Sequence, residues 1–168
     1  MALVISDAST LIHLVNIGRL DLLRTFFDQI VVPPAVWKEV VELGEGRSGA
    51  QEVRHAESSG WMSIEEPKDN AFVRSLSRDL DNGEAEVIAL AVERKADLIL
   101  IDETDARRVA DLYGIPKTGI IGLLLRAKRE KIIEFLKPEL DRLVYQSGFW
   151  ISEGLCQRAL KAAGEKDK

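Results

Sequence analysis

"LVISDAST", residues 3–10, sets a short, largely apolar run directly before an aspartate and a turn of small residues. An uninterrupted apolar run of this kind suits a strand covered on both faces, yet a carboxylate at its end is costly to bury without donors or a cation. The pattern recurs at residues 98–102, "LILID". Further apolar runs bounded by turn residues are "ALVIS" (2–6), "QIVV" (29–32), "WMSI" (61–64), "DLILI" (97–101) and the weaker "YGIPKT" (113–118). Between them lie segments with helical spacing: "LDLLRTFF", "PPAVWKEVVEL", "SGAQEVRHAESS", "NGEAEVIALAVERKA" and "DARRVADLYG". Strands alternating with helices predict an α/β fold, a parallel sheet of about five strands flanked by helices in three layers. The remaining chain, "GIIGLLLRAKREK", "EFLKPELDRLVYQSG" and "SEGLCQRALKAA", predicts helices covering one face or edge.

The 168 residues, 46% hydrophobic and 30% charged, are enough for one compact unit with its own core. We expect a single domain over residues 1–168, an α/β core to residue 131 and C-terminal helices over 132–168. There is no fixed-period repeat, low-complexity tract or long linker; "ELGEGRSG" (42–49) reads as a mobile loop between helices. No run of about 18 apolar residues and no signal-like N-terminus is present, which predicts a soluble, cytoplasmic protein with no membrane partner. The lone Cys156 excludes an internal disulfide framework and a cysteine-based zinc site. A net charge of −5 speaks against non-specific nucleic-acid binding. The objection weakens if acids cluster around divalent cations, leaving the basic stretch "RAKREK", with Arg126, Lys128, Arg129 and Lys131, free to meet phosphate. That stretch reads equally as the solvated end of a helix.

In open α/β sheets, ligands bind beyond the carboxyl ends of the strands. Asp7 and Asp102 stand there, and each also reads as the N-cap of the following helix. Glu39 falls on the stripe Val36, Val40 and Leu43 of a helix opened by Pro33 and Pro34, either buried against a cation or snorkelling at the stripe's edge. Glu84 shares a face with Val87, Ile88 and Ala91, while Glu86 aligns with Glu93 toward solvent; a capping box from Asp81 to Glu84 competes with a functional role. Asp105, one turn beyond Asp102, is a fifth candidate or an ordinary first-turn acid. Ser9 is spaced either to cap or to hydrogen-bond a metal ligand or phosphate. Four acids entering one end of a parallel sheet from separate segments would repel one another unless neutralised. Oxygen ligands with few histidines suit Mg2+ or Mn2+ rather than zinc, and so metal-assisted phosphodiester chemistry.

The segments "ISDASTLIHLVNIGRLDLL", "VVPPAVWKEV", "LDNGEAEVIALA", "LILIDETDARRVA" and "GIIGLLLRAKREK", in this order, resemble the PIN-domain family, whose toxin-type ribonucleases belong to bacterial and archaeal toxin–antitoxin pairs. More narrowly the chain is similar to a prokaryotic PIN-like branch of largely uncharacterised proteins. The resemblance implies a Mg2+- or Mn2+-dependent endoribonuclease with ligands at Asp7, Glu39, Glu84 and Asp102, leaving a 5′-phosphate. It also implies RNA as substrate, an antitoxin protein as inhibitor, and a homodimer. Many toxin-type members carry an aspartate where Glu84 stands and a threonine or serine where Asp102 stands, with the last acid further along the loop. Asp102 and Asp105 therefore both stand for the fourth ligand.

Two other enzyme classes place acids at strand ends. A haloacid-dehalogenase-type phosphatase needs a second acid two residues after the first, where Ser9 stands. A receiver domain wants adjacent acids after its first strand and leaves Glu39 and Glu84 unexplained, although Lys117 suits it. The non-enzymatic rival is a degenerate PIN domain acting as an RNA- or protein-binding scaffold. His13 and His55 form no ligand pair and read as structural; Trp37 and Trp61 read as core or interface, Phe149 and Trp150 as dimer contacts. Arg47, Arg107 and Arg108 read either as helping to hold phosphate or as ordinary exposed arginines, and Glu42 and Glu103, which neighbour proposed ligands, as solvated side chains.

Overall fold

The computed structural model describes residues 2–47 and 49–166. Five short strands form one wholly parallel sheet: β1 (Val4–Ser6), β2 (Ile30–Val32), β3 (Met62–Ile64), β4 (Leu98–Leu100) and β5 (Lys117–Thr118), in the order β3-β2-β1-β4-β5. β1 pairs with β4 through Val4 opposite Leu98, Ile5 opposite Ile99 and Ser6 opposite Leu100. The chain winds outward from β1 to β2 and β3, then crosses back to β4 and β5. The order therefore reverses between β1 and β4, the position at which the helices leaving the two strands diverge and open a crevice. All three residues of β1 are buried, as is Leu100 at the end of β4.

The connections are helical. α1 (Ala8–Asn16) and α2 (Asp21–Phe27) join β1 to β2; α3 (Pro34–Trp37) and α4 (Ala50–Ser58) join β2 to β3; α5 (Asn70–Leu76) and α6 (Asn82–Arg94) carry the crossover to β4; α7 (Thr104–Leu112) leads to β5. α8 (Ile120–Arg129), α9 (Leu136–Tyr145) and α10 (Glu153–Ala162) complete the C-terminal region. α5, α6 and α7 pack on one another with α6 against β1, while α1, α8, α9 and α10 form a second group. With right-handed crossovers, these groups cover opposite faces of the sheet. Leu11, Leu14 and Leu23 from the first connection, Val87, Ile88 and Leu90 from α6, and Leu123 and Leu124 from α8 belong to one continuous apolar cluster around Ile5, Ile99 and Leu100.

Two local features depart from the sequence expectation. α5 lies in a segment with no clear period; Asp69 caps it by accepting the Phe72 N–H at 3.0 Å. α3 is only four residues long and runs into a π-helical turn, Lys38–Glu42, in which the Leu43 N–H reaches back five residues to the Lys38 carbonyl at 2.8 Å. The extra residue in that turn shifts the helical phase. Val40 and Val41 are buried, whereas Leu43, expected on the same stripe, is 68% exposed. The following turn leads to α4; its Ser48 lies outside the described residues.

The C-terminal region is fastened by charge. Glu139, 3% exposed, accepts from Arg19 Nη2 at 2.5 Å and Nε at 3.2 Å and also pairs with Arg142, tying α9 to the α1–α2 corner. Glu165 accepts the N–H groups of Leu136 and Lys137, at 2.6 and 3.2 Å, and the Lys128 ammonium at 3.0 Å, which closes the N-terminus of α9. The basic stretch at the end of α8 is thus partly occupied. Arg126 lies 4.3 Å over the Phe26 ring and pairs with Glu130. No described helix is long and apolar enough to cross a membrane.

Candidate active site

Asp7 follows β1 directly and is 3% exposed. Its Oδ1 accepts the Thr10 N–H at 2.9 Å, so it does cap α1. Capping does not exhaust its role. Burial pushes the carboxyl up to about 7; hydrogen bonds from Thr10 offset part of that rise and the neighbouring Asp102 adds to it. A carboxyl in this state accepts a proton near neutrality or welcomes a cation.

Asp102, two residues beyond β4, does not cap the helix that follows it. The N-cap position of α7 is Glu103, with no side-chain bond. Asp102 instead reaches across the crevice mouth to α8, where Oδ1 accepts the Ile120 N–H at 3.1 Å, and Oδ2 accepts the Thr10 hydroxyl at 3.1 Å. Gly119 permits this approach, since a Cβ there would collide with Asp102 Oδ1. Burial raises the Asp102 carboxyl, against the lowering effects of Ile120, Thr10 and Arg107. Arg107 is itself fixed by donating to the Ile101 carbonyl at 2.9 Å.

From the β2 side, the π-helical turn delivers Glu39. From the crossover, the first turn of α6 delivers Glu84. The reciprocal capping box is present, with the Glu84 N–H on Asp81 at 2.8 Å and the Asp81 N–H on Glu84 Oε1 at 3.2 Å. Even so the Glu84 carboxyl is pushed up to about 7, first by burial and further by Asp81 and Glu103. Glu39 is exposed rather than buried on its stripe, and its carboxyl is still raised, first by partial desolvation and then by Asp81. Asp7, Ser9, Glu39, Asp81 and Glu84 line one small crevice of about 50 Å3. Gly83 borders it, its Cβ position 3.7 Å from Glu39 Oε2.

The structure thus gathers Asp7, Glu39 and Glu84 at one place and leaves Asp102 off that lining, joined to Asp7 through Thr10. It separates Asp105, which is 63% exposed and lies 3.7 Å from Arg108. Glu86, expected in solvent, is half-buried and accepts the Ala35 N–H at 3.2 Å, capping α3. Sequence reasoning weighed Asp81 only as a cap and passed over Thr10. Three-residue offsets from Glu84 and Asp7 were the available signals, and both residues belong to the network. His13 finds partners within the fold, its Nδ1 2.5 Å from the Ser147 hydroxyl and its ring edge-on to Phe149. Trp61 is buried, Trp150 82% exposed. A larger groove, about 750 Å3 and lined by Arg24, Glu52, His55 and Trp61 among others, is formed by α1, α2 and α4 and contains none of these carboxylates.

The donor set is all oxygen, and burial together with neighbouring negative charge raises the proton affinity of these carboxyls, an uncompensated charge that a hard divalent cation would neutralise by displacing the protons. Among the described residues no three His, Cys, Asp or Glu side chains stand close enough together to hold an ion by themselves. An all-oxygen donor set suits a hard divalent cation, with the remaining positions around it left to water.

A family model described as PIN domain matches residues 3–165, nearly the whole chain. The chain belongs to the PIN-domain family, whose members are generally nucleases that use divalent metals. No curated protein matches the sequence.

Proposed function

We propose that the protein is a Mg2+- or Mn2+-dependent endoribonuclease that hydrolyses RNA phosphodiester bonds, with Asp7, Glu39, Glu84 and Asp102 as its working carboxylates. The observation that carries this reading is the convergence of Asp7, Glu39 and Glu84 on one crevice, with Asp7 and Glu84 both held at about 7. The ion, when bound, supplies an activated water and charge stabilisation at the leaving oxygen. Asp7, fixed by Thr10, offers an oriented oxygen to the ion. Glu39 and Glu84, which line the same crevice, orient water and accept its proton. Asp102 acts through Thr10 and the α8 N-terminus, setting the crevice's shape, and Asp105 is a rim residue. Ser9, exposed at the mouth, offers a hydroxyl to phosphate.

A toxin role in a toxin–antitoxin pair, with an antitoxin protein covering the acidic crevice, a homodimeric state and a cytoplasmic location go with this reading. The test is single-turnover cleavage of structured RNAs with EDTA, Mg2+ or Mn2+. Wild type should cut only with metal and leave a 5′-phosphate, and Asp7→Asn should lose at least a hundredfold in rate. A second reading, a binding scaffold without catalysis, draws on the absence of a closed three-ligand cluster among the described residues. RNA bound equally with and without metal, and never cut, would favour it.

A further inference from the structure

Beside the carboxylate crevice lies a second recess of about 330 Å3, sharing Glu39, Asp81 and Gly83 with it and extending outward to Ala35, Lys38, Leu43 and Asn82. We propose that this recess is a subsite for one nucleoside of the RNA, adjoining the phosphate held at the crevice; the inference rests on the nuclease reading above.

Four observations converge on it. The recess is continuous with the crevice through three shared residues, so a chain whose phosphate lies at Asp7 and Glu84 meets this wall one nucleotide away. Its volume falls at the lower end of the range for small-ligand sites, about 300–1,000 Å3. Leu43 is presented to solvent by the π-helical turn, although its place in the sequence stripe suited the core, and π-helical turns recur at functional sites. Lys38 makes no ion pair with any described residue and stands as a free cation at an otherwise acidic mouth.

The chemistry of the lining matches a nucleotide in parts. Leu43 offers an apolar surface to the face of a base. The Asn82 amide carries both donors and an acceptor and suits a base edge, as single-stranded RNA is commonly read. Lys38 suits the flanking phosphate, being a mobile point charge. The same turn that aims Glu39 at the crevice thereby places Lys38 and Leu43 at its side, coupling the position of the cut to the identity of its neighbour.

Leu43 and Asn82 are exposed, so Leu43→Ala with Asn82→Ala should fold as wild type. The experiment titrates the four nucleoside 5′-monophosphates, with Mn2+, into wild type and this double variant while following backbone amide resonances. Saturable shifts at Ala35, Lys38, Leu43 and Asn82, with binding at least tenfold weaker in the double variant, are expected. Binding elsewhere, no binding, or equal binding by the double variant overturns the subsite. In parallel, metal-dependent cutting of single-stranded RNA by wild type but not Asp7→Asn judges the nuclease reading independently. Cutting without recess shifts removes only the subsite, and recess shifts without cutting remove only the nuclease.

Discussion

Asp102 accepts the Ile120 N–H at 3.1 Å and so caps α8, a helix that begins 18 residues away in sequence, rather than the helix next to it. With the Thr10 hydroxyl on its other oxygen, it links the ends of β1 and β4 to the C-terminal helices. Asp102→Ala leaves two donors without their acceptor and should cost about 2–3 kcal/mol in urea denaturation. Asp105→Ala, removing an exposed acid, should change stability by less than about 0.5 kcal/mol. Equal losses for the two would show that Asp102 does not make this link.

The pH dependence of stability follows from Asp7. Its carboxyl lies at about 7 in the folded state against 3.8 ordinarily, so the folded protein holds a proton that the unfolded chain has released. This contribution is complete below about pH 4 and is lost as pH rises through about 7. Glu84, raised from 4.5 to about 7, acts in the same direction. In EDTA the thermal midpoint of wild type should therefore fall between pH 5 and pH 8, roughly the upper part of that window. Asp7→Asn, which keeps the cap on α1, should flatten the fall. If both proteins respond alike, the carboxyl is not desolvated as the structure has it.

Mn2+ tests the same site from the other side. Binding to the native state raises stability by mass action, about 2.7 kcal/mol at a hundredfold excess over the dissociation constant. We expect wild type to gain with Mn2+ at neutral pH and Asp7→Asn to lose most of that gain. Equal gains would move the ion away from Asp7.

Asp81→Asn separates capping from charge. Asparagine caps a helix as well as aspartate does, so stability should change by less than about 0.5 kcal/mol. Its missing charge should lower the carboxyl titrations of both Glu39 and Glu84, which Asp81 raises. Side-chain carbon NMR resolves the two titrations. Unchanged values would detach Asp81 from the crevice.

Glu139→Gln probes the C-terminal fastening. The carboxylate is buried between Arg19 and Arg142, and removing one partner of a buried charge network costs about 3–5 kcal/mol. Both arginines are partly exposed, so a loss near 2–3 kcal/mol is expected in urea, with amide exchange quickening first in α9 and α10. A loss under about 0.5 kcal/mol would make the pairing ornamental.

The sequence by itself determined the alternation of strands and helices and the strand ends at which Asp7 and Asp102 stand. Apolar runs buried on both faces and helical stripes are local patterns, and local patterns survive in a single chain read end to end. It also marked Glu39 and Glu84, because a carboxylate among apolar residues at helical spacing breaks the pattern. Only the tertiary structure decided what those acids meet. Thr10 and Asp102 are 92 residues apart, and which helix N-terminus an acid caps depends on where the sheet order brings it. Asp81 joined the crevice and Asp105 left it for the same reason. Leu43 left the core because one extra residue in a π-helical turn shifts the helical phase, a change in hydrogen bonding that hydrophobic periodicity does not encode.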